Sequence, residues 1–350
     1  MRSTAPKKIL VVRFSSIGDI VLTFPVVSAI KSLFPECQVD FATKKQFATL
    51  LEACPQIDQV FLLQDSLTAL RQQIDFKHYD AIFDLHHNLR TRLLLFVSRV
   101  PVYRFPKNNI EKWLLTSFKV VPKQRKHVIE RYLEPLRQIA PSFAPFHAKL
   151  EYIIPKEAQF DISKRFELQS KTYIAVAIGA QFATKRLPTD LLINLIGQIE
   201  LPVLLLGGKE DTSTAQLILQ NTATQKVYSA VGQTNIHESA WLVQNAKALV
   251  THDTGLMHIG AAFDLPIYVI WGNTVKDFGM YPYRLEQEDV FHYEVADLAC
   301  RPCSKIGHEQ CPKGHFACMR KQDLSQIASR LRRTTFWVQW PLRASFSLLK

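Results

Sequence analysis

The feature that most constrains this chain is the repeated exchange of short, wholly apolar runs with longer segments of helical period. "KKILVVRF" (Lys7 to Phe14) gives way to the polar loop "SSIGD" and then to the helix-like "IVLTFPVVSAIKSLF", with Pro25 as its one irregularity. "QVDFAT", "QVFLL" and "YDAIFDLHH" follow at similar spacing, each separated from the next by a segment able to form a helix. A strand apolar on both faces must be covered on both faces, so the alternation predicts an α/β protein with parallel sheets.

The pattern restarts in the second half with "TYIAVAIGA" (Thr172 to Ala180), "PVLLLGG" (Pro202 to Gly208), "ALVTHDT" (Ala248 to Thr254) and "IYVIWG" (Ile267 to Gly272). Between the two series lies "HAKLEYIIPKEAQF", with Pro155. The expected organisation is therefore two doubly wound, Rossmann-like domains facing a cleft, 1–160 and 161–325, followed by a basic, aromatic tail, 326–350. A length of 350 residues suits two such cores, and 47% apolar with 21% charged residues marks a folded globular chain. Lys and Arg exceed Asp and Glu by 43 − 31 = 12, which favours anionic partners without choosing among nucleotide, lipid head group and nucleic acid. The start imitates a signal peptide, but Arg13 and Asp19 interrupt its apolar run, and the sequence has no span of about 18 uncharged apolar residues. A cytoplasmic protein is expected, its six cysteines being thiols or metal ligands.

In doubly wound sheets ligands bind beyond the carboxyl ends of the strands, so the polar residues there are the candidates. After the first strand, Ser15, Ser16 and Gly18 offer hydroxyls, free amides and a tight turn. Asp19 there is either a helix-capping residue or a carboxylate base facing the cleft. "HDTGLMHIGAA" (His252 to Ala262) places Asp253, Thr254, Gly255 and Leu256 where a strand gives way to a helix, with His258 one turn on. Its amides and imidazole suit a phosphate, while the plainer reading is a cap and a core histidine. "GAQFATKRLPTD" supplies Thr184, Lys185 and Arg186 before Pro188, cations fit for a diphosphate or merely a solvated basic loop. "GGKED" ends a strand with Glu210 and Asp211, either ribose acceptors or N-terminal helix acids. "FDLHHNLRTR" contributes His86, Asn88 and Arg90, suited to a polyhydroxyl or anionic acceptor.

Two segments carry further signals. Cys300, Cys303, Cys311 and Cys318, with His308 and His315 among them, have the ligand count for a tetrahedral structural zinc site, against plain thiols in a lid-like loop. The last residues interleave Arg330, Arg332, Arg333 and Arg343 with Phe336, Trp337, Trp340 and Phe346. This mixture suits an anionic membrane surface, or a helix returning to the first domain.

In order and spacing, "SSIGDIVLTFPV", "DLHHNLR", "KRLP", "GGKED", "HDTGLMHIGAA" with its downstream "WG", and the cysteine-rich stretch resemble glycosyltransferase family 9, the ADP-heptose:lipopolysaccharide heptosyltransferases. The resemblance implies a GT-B fold and a metal-independent, inverting transfer of a sugar from a nucleotide diphosphate, ADP in that family, to a lipid-linked saccharide. It implies no required cofactor, and a place at the cytoplasmic membrane surface. It assigns Asp19 as base, Lys185 to the donor phosphates, Asp211 or in another register Glu210 to the ribose, and Asp253, Thr254, Gly255, Leu256 and His258 to the donor. Leu187 departs from the tryptophan often found in the family's "KxWP", which touches the sugar or base contact rather than the phosphates. Two rival readings are a dinucleotide oxidoreductase, disfavoured because "SSIGD" has one glycine and no GxGxxG, and a nucleic-acid-binding protein with a zinc module.

Overall fold

A computed structural model describes residues 5–121, 126–141, 149–222 and 226–336, the side chains of 334–336 excepted. Its first sheet contains β1 (Lys8–Val12), β2 (Gln38–Lys44), β3 (Gln59–Leu63), β4 (Ala81–Asp84) and β5 (Val102–Arg104), in the order β3-β2-β1-β4-β5. Its second contains β6 (Ile174–Ala177), β7 (Val203–Leu206), β8 (Val227–Ser229), β9 (Ala248–His252), β10 (Ile267–Trp271) and β11 (Val290–Glu294), in the order β11-β10-β9-β6-β7-β8. Every pairing is parallel. The apolar runs read from sequence are the inner strands, and Ile9, Leu10, Val11 and Val12 are wholly buried. The short β5, β8 and β11 lie at sheet edges and, half-covered, carry no continuous apolar run to announce them.

Helices α1 (Ile17–Val21), α2 (Phe24–Leu33), α3 (Leu67–Gln73), α4 (Leu89–Leu95), α5 (Asn109–Phe118), α6 (Val128–Tyr132) and α7 (Glu134–Ile139) belong to the first half. Helix α8 (Ile162–Phe166) lies between the sheets in sequence. Helices α9 (Thr189–Gly197), α10 (Thr212–Asn221), α11 (Ile236–Gln244), α12 (Gly255–Gly260), α13 (Ala317–Arg320) and α14 (Leu324–Phe336) complete the second. The single helix expected from Ile20 to Phe34 is instead two. Pro25 lacks an amide hydrogen and stands in the first turn of α2, so the chain breaks at Leu22 and Thr23 and restarts.

Strand order reverses between β1 and β4 in the first sheet and between β6 and β9 in the second. A crevice opens where neighbouring connections leave to opposite faces, so these two switch points are where each sheet offers a ligand site. The segments that follow β1, β4, β6 and β9 hold Asp19, His86, Lys185 and Asp253 respectively, so both switch points carry candidates.

The halves touch at several points. Val128 N–H donates to Gly279 O at 2.8 Å, and the Tyr152 hydroxyl meets His237 Nδ1 at 2.9 Å. Leu115 of α5 packs with Val275 and Phe278. The opening stretch of the tail packs on the second domain rather than returning to the first: Ile327, Ala328 and Leu331 of α14 bury against the second sheet's core and the Arg330 guanidinium lies over Phe291. Residues 337–350, with Trp337, Trp340, Arg343 and Phe346, and the Phe336 side chain, lie outside the described residues.

Candidate active site

Asp19 is the third residue of α1. One carboxylate oxygen accepts from Ser16 N–H at 3.2 Å and from the Ser16 hydroxyl at 2.8 Å. The other meets Arg13 at 2.6 Å and the Tyr132 hydroxyl at 3.4 Å. The capping and functional readings of Asp19 therefore coexist: it does close the start of α1, yet about 22% of its side chain stays exposed. Burial works to raise its pKa, but the Arg13 guanidinium and the two Ser16 hydrogen bonds outweigh it and hold the carboxyl at about 2. Arg13 itself is buried, its Nε donating to Ser15 O at 2.7 Å and another nitrogen to Leu85 O at 2.6 Å.

Gly18 does not make the expected turn. It sits inside α1, and a side chain there would collide with the His258 ring. Across the same contact, a side chain on Gly255 would meet Ile17 at 2.7 Å. The "SSIGD" and "HDTGLMH" stretches, over 230 residues apart in sequence, thus pack directly on each other as α1 against α12, and each glycine is required by the close approach of the other domain.

On the second sheet, Lys185 Nζ lies 2.7 Å from Asp253 Oδ2, which also accepts from the Thr274 hydroxyl at 2.9 Å. Thr254, not Asp253, is the N-cap of α12, its hydroxyl taking the Met257 amide at 3.3 Å; the Gly255 and Leu256 amides open the same turn. His258 is 3% exposed and its Nδ1 has no hydrogen-bond partner. Burial pushes its pKa down to about 4, with Asp253 and Asp19 pulling the other way and Lys185 adding to the fall. It is a neutral imidazole at pH 7, within electrostatic reach of Asp19, Asp253 and Lys185 at once.

Three donor-side candidates follow the ends of β6 and β7. The Thr184 hydroxyl is buried and engaged with His308, donating to its carbonyl at 3.0 Å and accepting its amide at 2.8 Å, so it anchors the cysteine-rich loop. Asp211 is 3% exposed, takes the Gly208 amide at 3.0 Å and faces Arg186 at 3.6 Å. Burial raises its pKa. Asp211 nonetheless borders a cavity of about 310 Å³ lined also by Arg186, Leu187, Thr214, Phe316 and Arg320, beside the β6 and β7 ends. Glu210 is exposed beside it.

On the first sheet, His86 packs near Phe14, ring centroids 5.5 Å apart, and its Nδ1 is buried without a partner. Burial and Arg13 depress its pKa to about 3. Asn88 spends its carbonyl oxygen as N-cap of α4, accepting the Thr91 amide at 3.0 Å. Arg90 lies exposed on α4, away from the Asp19 cluster's hydrogen bonds. The loop is organised by buried Asp84, which accepts the His87 amide at 2.6 Å, the Thr91 hydroxyl at 2.9 Å and Arg104 at 3.3 Å.

The cysteines considered for zinc stand near one another, Cys318 within electrostatic reach of Cys303, Cys311 and Cys300, and Cys300 Sγ lies 3.8 Å from His315 Nε2. Cys300, Cys303, Cys311 and Cys318 are free thiols, and among the described residues no group of three or more His, Cys, Asp or Glu side chains is arranged to hold a metal. Burial, reinforced by Cys303, raises the Cys318 thiol to about 12. The segment acts as a bracket: His308 fixes Thr184, Phe316 and Arg320 line the cavity, and Lys119 Nζ of the first half donates to Pro302 O at 2.7 Å.

Reading the sequence missed several residues around Asp19. Arg13 was visible only as an interruption of an apolar strand. Tyr132, Arg131, Lys107 and Lys112 come from segments with no motif at all. Burial and neighbouring Arg131 depress Lys112 to about 8, and burial with Arg13 depresses Lys107. A crowd of cations beside one carboxylate is a place that an anion would relieve.

The family model of glycosyltransferase family 9 (heptosyltransferase) matches residues 67–310. Lipooligosaccharide heptosyltransferase 2 of Haemophilus influenzae is 24% identical over 293 residues, covering 77% of this chain and 84% of that protein. A glycosyl transferase family 9 structure from Veillonella parvula superposes with a TM-score of 0.75 at 19% identity, covering 94% of this chain and 97% of that one. ADP-heptose lps heptosyltransferase II of Escherichia coli does so with 0.72 at 18%, covering 95% and 100%. The architecture of two facing parallel sheets is thus the GT-B fold.

Proposed function

The chain belongs to glycosyltransferase family 9 and is a glycosyltransferase, and from that premise we propose that it moves a heptose from an ADP-sugar to a lipopolysaccharide-core acceptor with inversion, without a protein-bound metal. The names of its relatives support the sugar and the acceptor, and that of the E. coli enzyme the donor. The observation that carries the residue assignment is the contact of α1 with α12, which sets Asp19 opposite the Lys185 and Asp253 pair with His258 between them.

The second unit, from about residue 161, takes the donor. The cavity bordered by Asp211, Thr214 and Phe316 receives the nucleoside, with Asp211 or Glu210 accepting from ribose hydroxyls. Lys185 and the Gly255 and Leu256 amides meet the diphosphate, and His258, neutral, donates from its imidazole to a phosphate oxygen. Asp253 cannot neutralise an anion; it holds Lys185 in place and accepts from sugar hydroxyls. The first unit takes the acceptor, with Ser15, Ser16, His86 and Asn88 around the opening, Gly18 serving it only through the close packing on His258 and Arg90 standing farther out on α4. Lys107 and Lys112 suit an acceptor that is itself anionic.

Transfer then forms a bond from the acceptor oxygen to the anomeric carbon as the bond from that carbon to the diphosphate breaks on the opposite side. The acceptor proton passes to Asp19. A carboxylate near pKa 2 is too weak a base to ionise a sugar hydroxyl in advance, so it takes the proton only as the forming bond acidifies that hydroxyl. The enzyme works at the membrane's cytoplasmic face; no helix among the described residues is long and apolar enough to cross a membrane.

The test is Asp19→Ala. Transfer should fall by about 10²- to 10⁴-fold while ADP still raises the unfolding midpoint; an active variant removes Asp19 from the mechanism. Slow hydrolysis of a panel of nucleotide sugars identifies the donor, and a clear preference for a non-ADP nucleotide overturns that part of the reading.

A further inference from the structure

Helix α4 is apolar on both of its faces but buried on only one. Thr91, Leu94 and Leu95 face inward, the two leucines packing with Leu10, Val12, Phe14 and Ile82. On the opposite side Leu89 is 71% exposed and Leu93 51%, and the turn that closes the helix continues the stripe with Phe96 at 87% and Val97 at 51%. At about 100° per residue these four fall within an arc of about 100°. Arg90 and Arg92 flank that arc and Arg99 follows it, all exposed.

The next helix repeats the theme. Ile110 of α5 is 75% exposed, Trp113 56% and Phe118 62%, the last two in edge contact at 5.2 Å. Both helices start from the same border of the first sheet, the carboxyl ends of β4 and β5, where Asp84 and Arg104 pair and His87 Nδ1 meets Phe105 O at 3.1 Å. That border is the acceptor side of the cleft.

An exposed apolar stripe of this size on a soluble surface marks an interaction site. Flanking arginines decide which kind. Two copies of this face would bring like charges together, whereas an anionic bilayer offers hydrocarbon to the centre of the stripe and phosphates to its edges. The chain's net charge of +12 acts in the same direction. We propose that the outer face of α4, assisted by Trp113 and Phe118 of α5, is the surface by which the enzyme sits on an anionic phospholipid membrane, with Arg90, Arg92 and Arg99 on lipid phosphates. This places the docking surface on the first domain rather than on the C-terminal tail. It holds the mouth of the acceptor site at the level where a lipid-linked saccharide leaves the bilayer. The biological sense of the surface rests on the lipid-linked acceptor proposed above, but its test needs no turnover.

The experiment is co-sedimentation of the full chain with vesicles of phosphatidylcholine alone and of phosphatidylcholine containing phosphatidylglycerol, at low and high salt. Wild type should bind the anionic vesicles, weaken with salt, and bind neutral vesicles roughly tenfold less well or worse. The variant Leu93→Ser/Phe96→Ser/Val97→Ser, altered only at exposed positions, should keep its circular dichroism and its stabilisation by ADP while losing roughly tenfold or more of the vesicle binding. Arg99→Gln should cost about fivefold. The proposal is overturned if wild type ignores anionic vesicles or if the triple variant binds them as wild type does. It is also overturned if sedimentation velocity shows a dimer that the triple substitution dissociates. Should vesicle binding be lost with the triple variant while no heptosyl transfer is ever found, the surface stands and the function proposed above fails.

Discussion

The two sides of the cleft hold the same device with its parts exchanged. Arg13 and Asp19 pair at 2.6 Å on the first sheet, Lys185 and Asp253 at 2.7 Å on the second. In the mechanism proposed above the first side's carboxylate reacts, and the buried guanidinium, anchored by two backbone carbonyls, positions it. In the same proposal the second side's cation works and the carboxylate, braced by Thr274, holds it. An ion pair at a strand end therefore says little by itself. What distinguishes the two is the chemistry proposed for each: one accepts a proton, the other meets a diphosphate.

The sharpest break of the symmetry comes from removing the working member of each pair. Beyond Asp19→Ala, Lys185→Ala should lower kcat/KM by about 10²- to 10³-fold and weaken stabilisation by ADP, which Asp19→Ala leaves intact. Comparing ADP titrations of the two variants by thermal unfolding checks the division; equal loss of ADP binding in both would merge the two sides. Gly18→Ala comes next. A methyl group there enters the space of the His258 ring, so the α1 to α12 contact must open, and activity should fall while each sheet stays folded. A crystal structure or small-angle scattering of that variant showing the wild-type closure would remove the contact from the argument.

Replacing the positioner has a subtler effect. Arg13→Leu removes the charge that holds Asp19 near 2, so the acid limb of kcat/KM should climb toward the ordinary carboxylate value of about 4. Asp253→Asn, in contrast, should leave the acid limb in place and act through donor affinity. A pH profile of both variants separates these outcomes.

The smallest effect concerns stability against pH. His86 and His127 are depressed to about 3, and His252, His258 and His292 to about 4, each by burial first. Their unfolded counterparts protonate near 6.5, so as pH falls below that value the unfolded chain takes up protons that the native one refuses. Stability is complete above about pH 6.5 and should decline by several kcal/mol toward pH 4. Asp19 has the same sign, its contribution being lost only below the ordinary carboxylate range. Urea unfolding at pH 7.5, 5.5 and 4.5 measures this, and a flat profile would contradict the burial of these rings as neutral groups.

The inner strands were legible because burial on both faces demands apolar runs that nothing else in the chain needs. The edge strands β5, β8 and β11 were not, since half-covered strands such as "VYR" and "VYS" look like loops. Asp19, Lys185 and Asp253 stood out because polar residues at the end of an apolar run require an explanation. Arg13 and Tyr132 did not, for a cation inside a strand and a tyrosine in a short helix acquire meaning only from what they touch. The Gly18 reading erred for the same reason: from sequence a glycine near a turn is a turn, whereas here the constraint is a ring from another domain.

By itself the sequence determined the two parallel sheets, the loops that hold polar groups at their carboxyl ends, and the family those loops resemble. These follow from local pattern, because period and apolarity are set residue by residue. Only the tertiary structure decided which of those groups meet. That Asp19 faces His258, that Thr184 is tied to His308 of a loop over a hundred residues on, and that α4 turns an apolar face outward each depend on contacts between segments distant in sequence. No local pattern encodes such contacts; packing decides them.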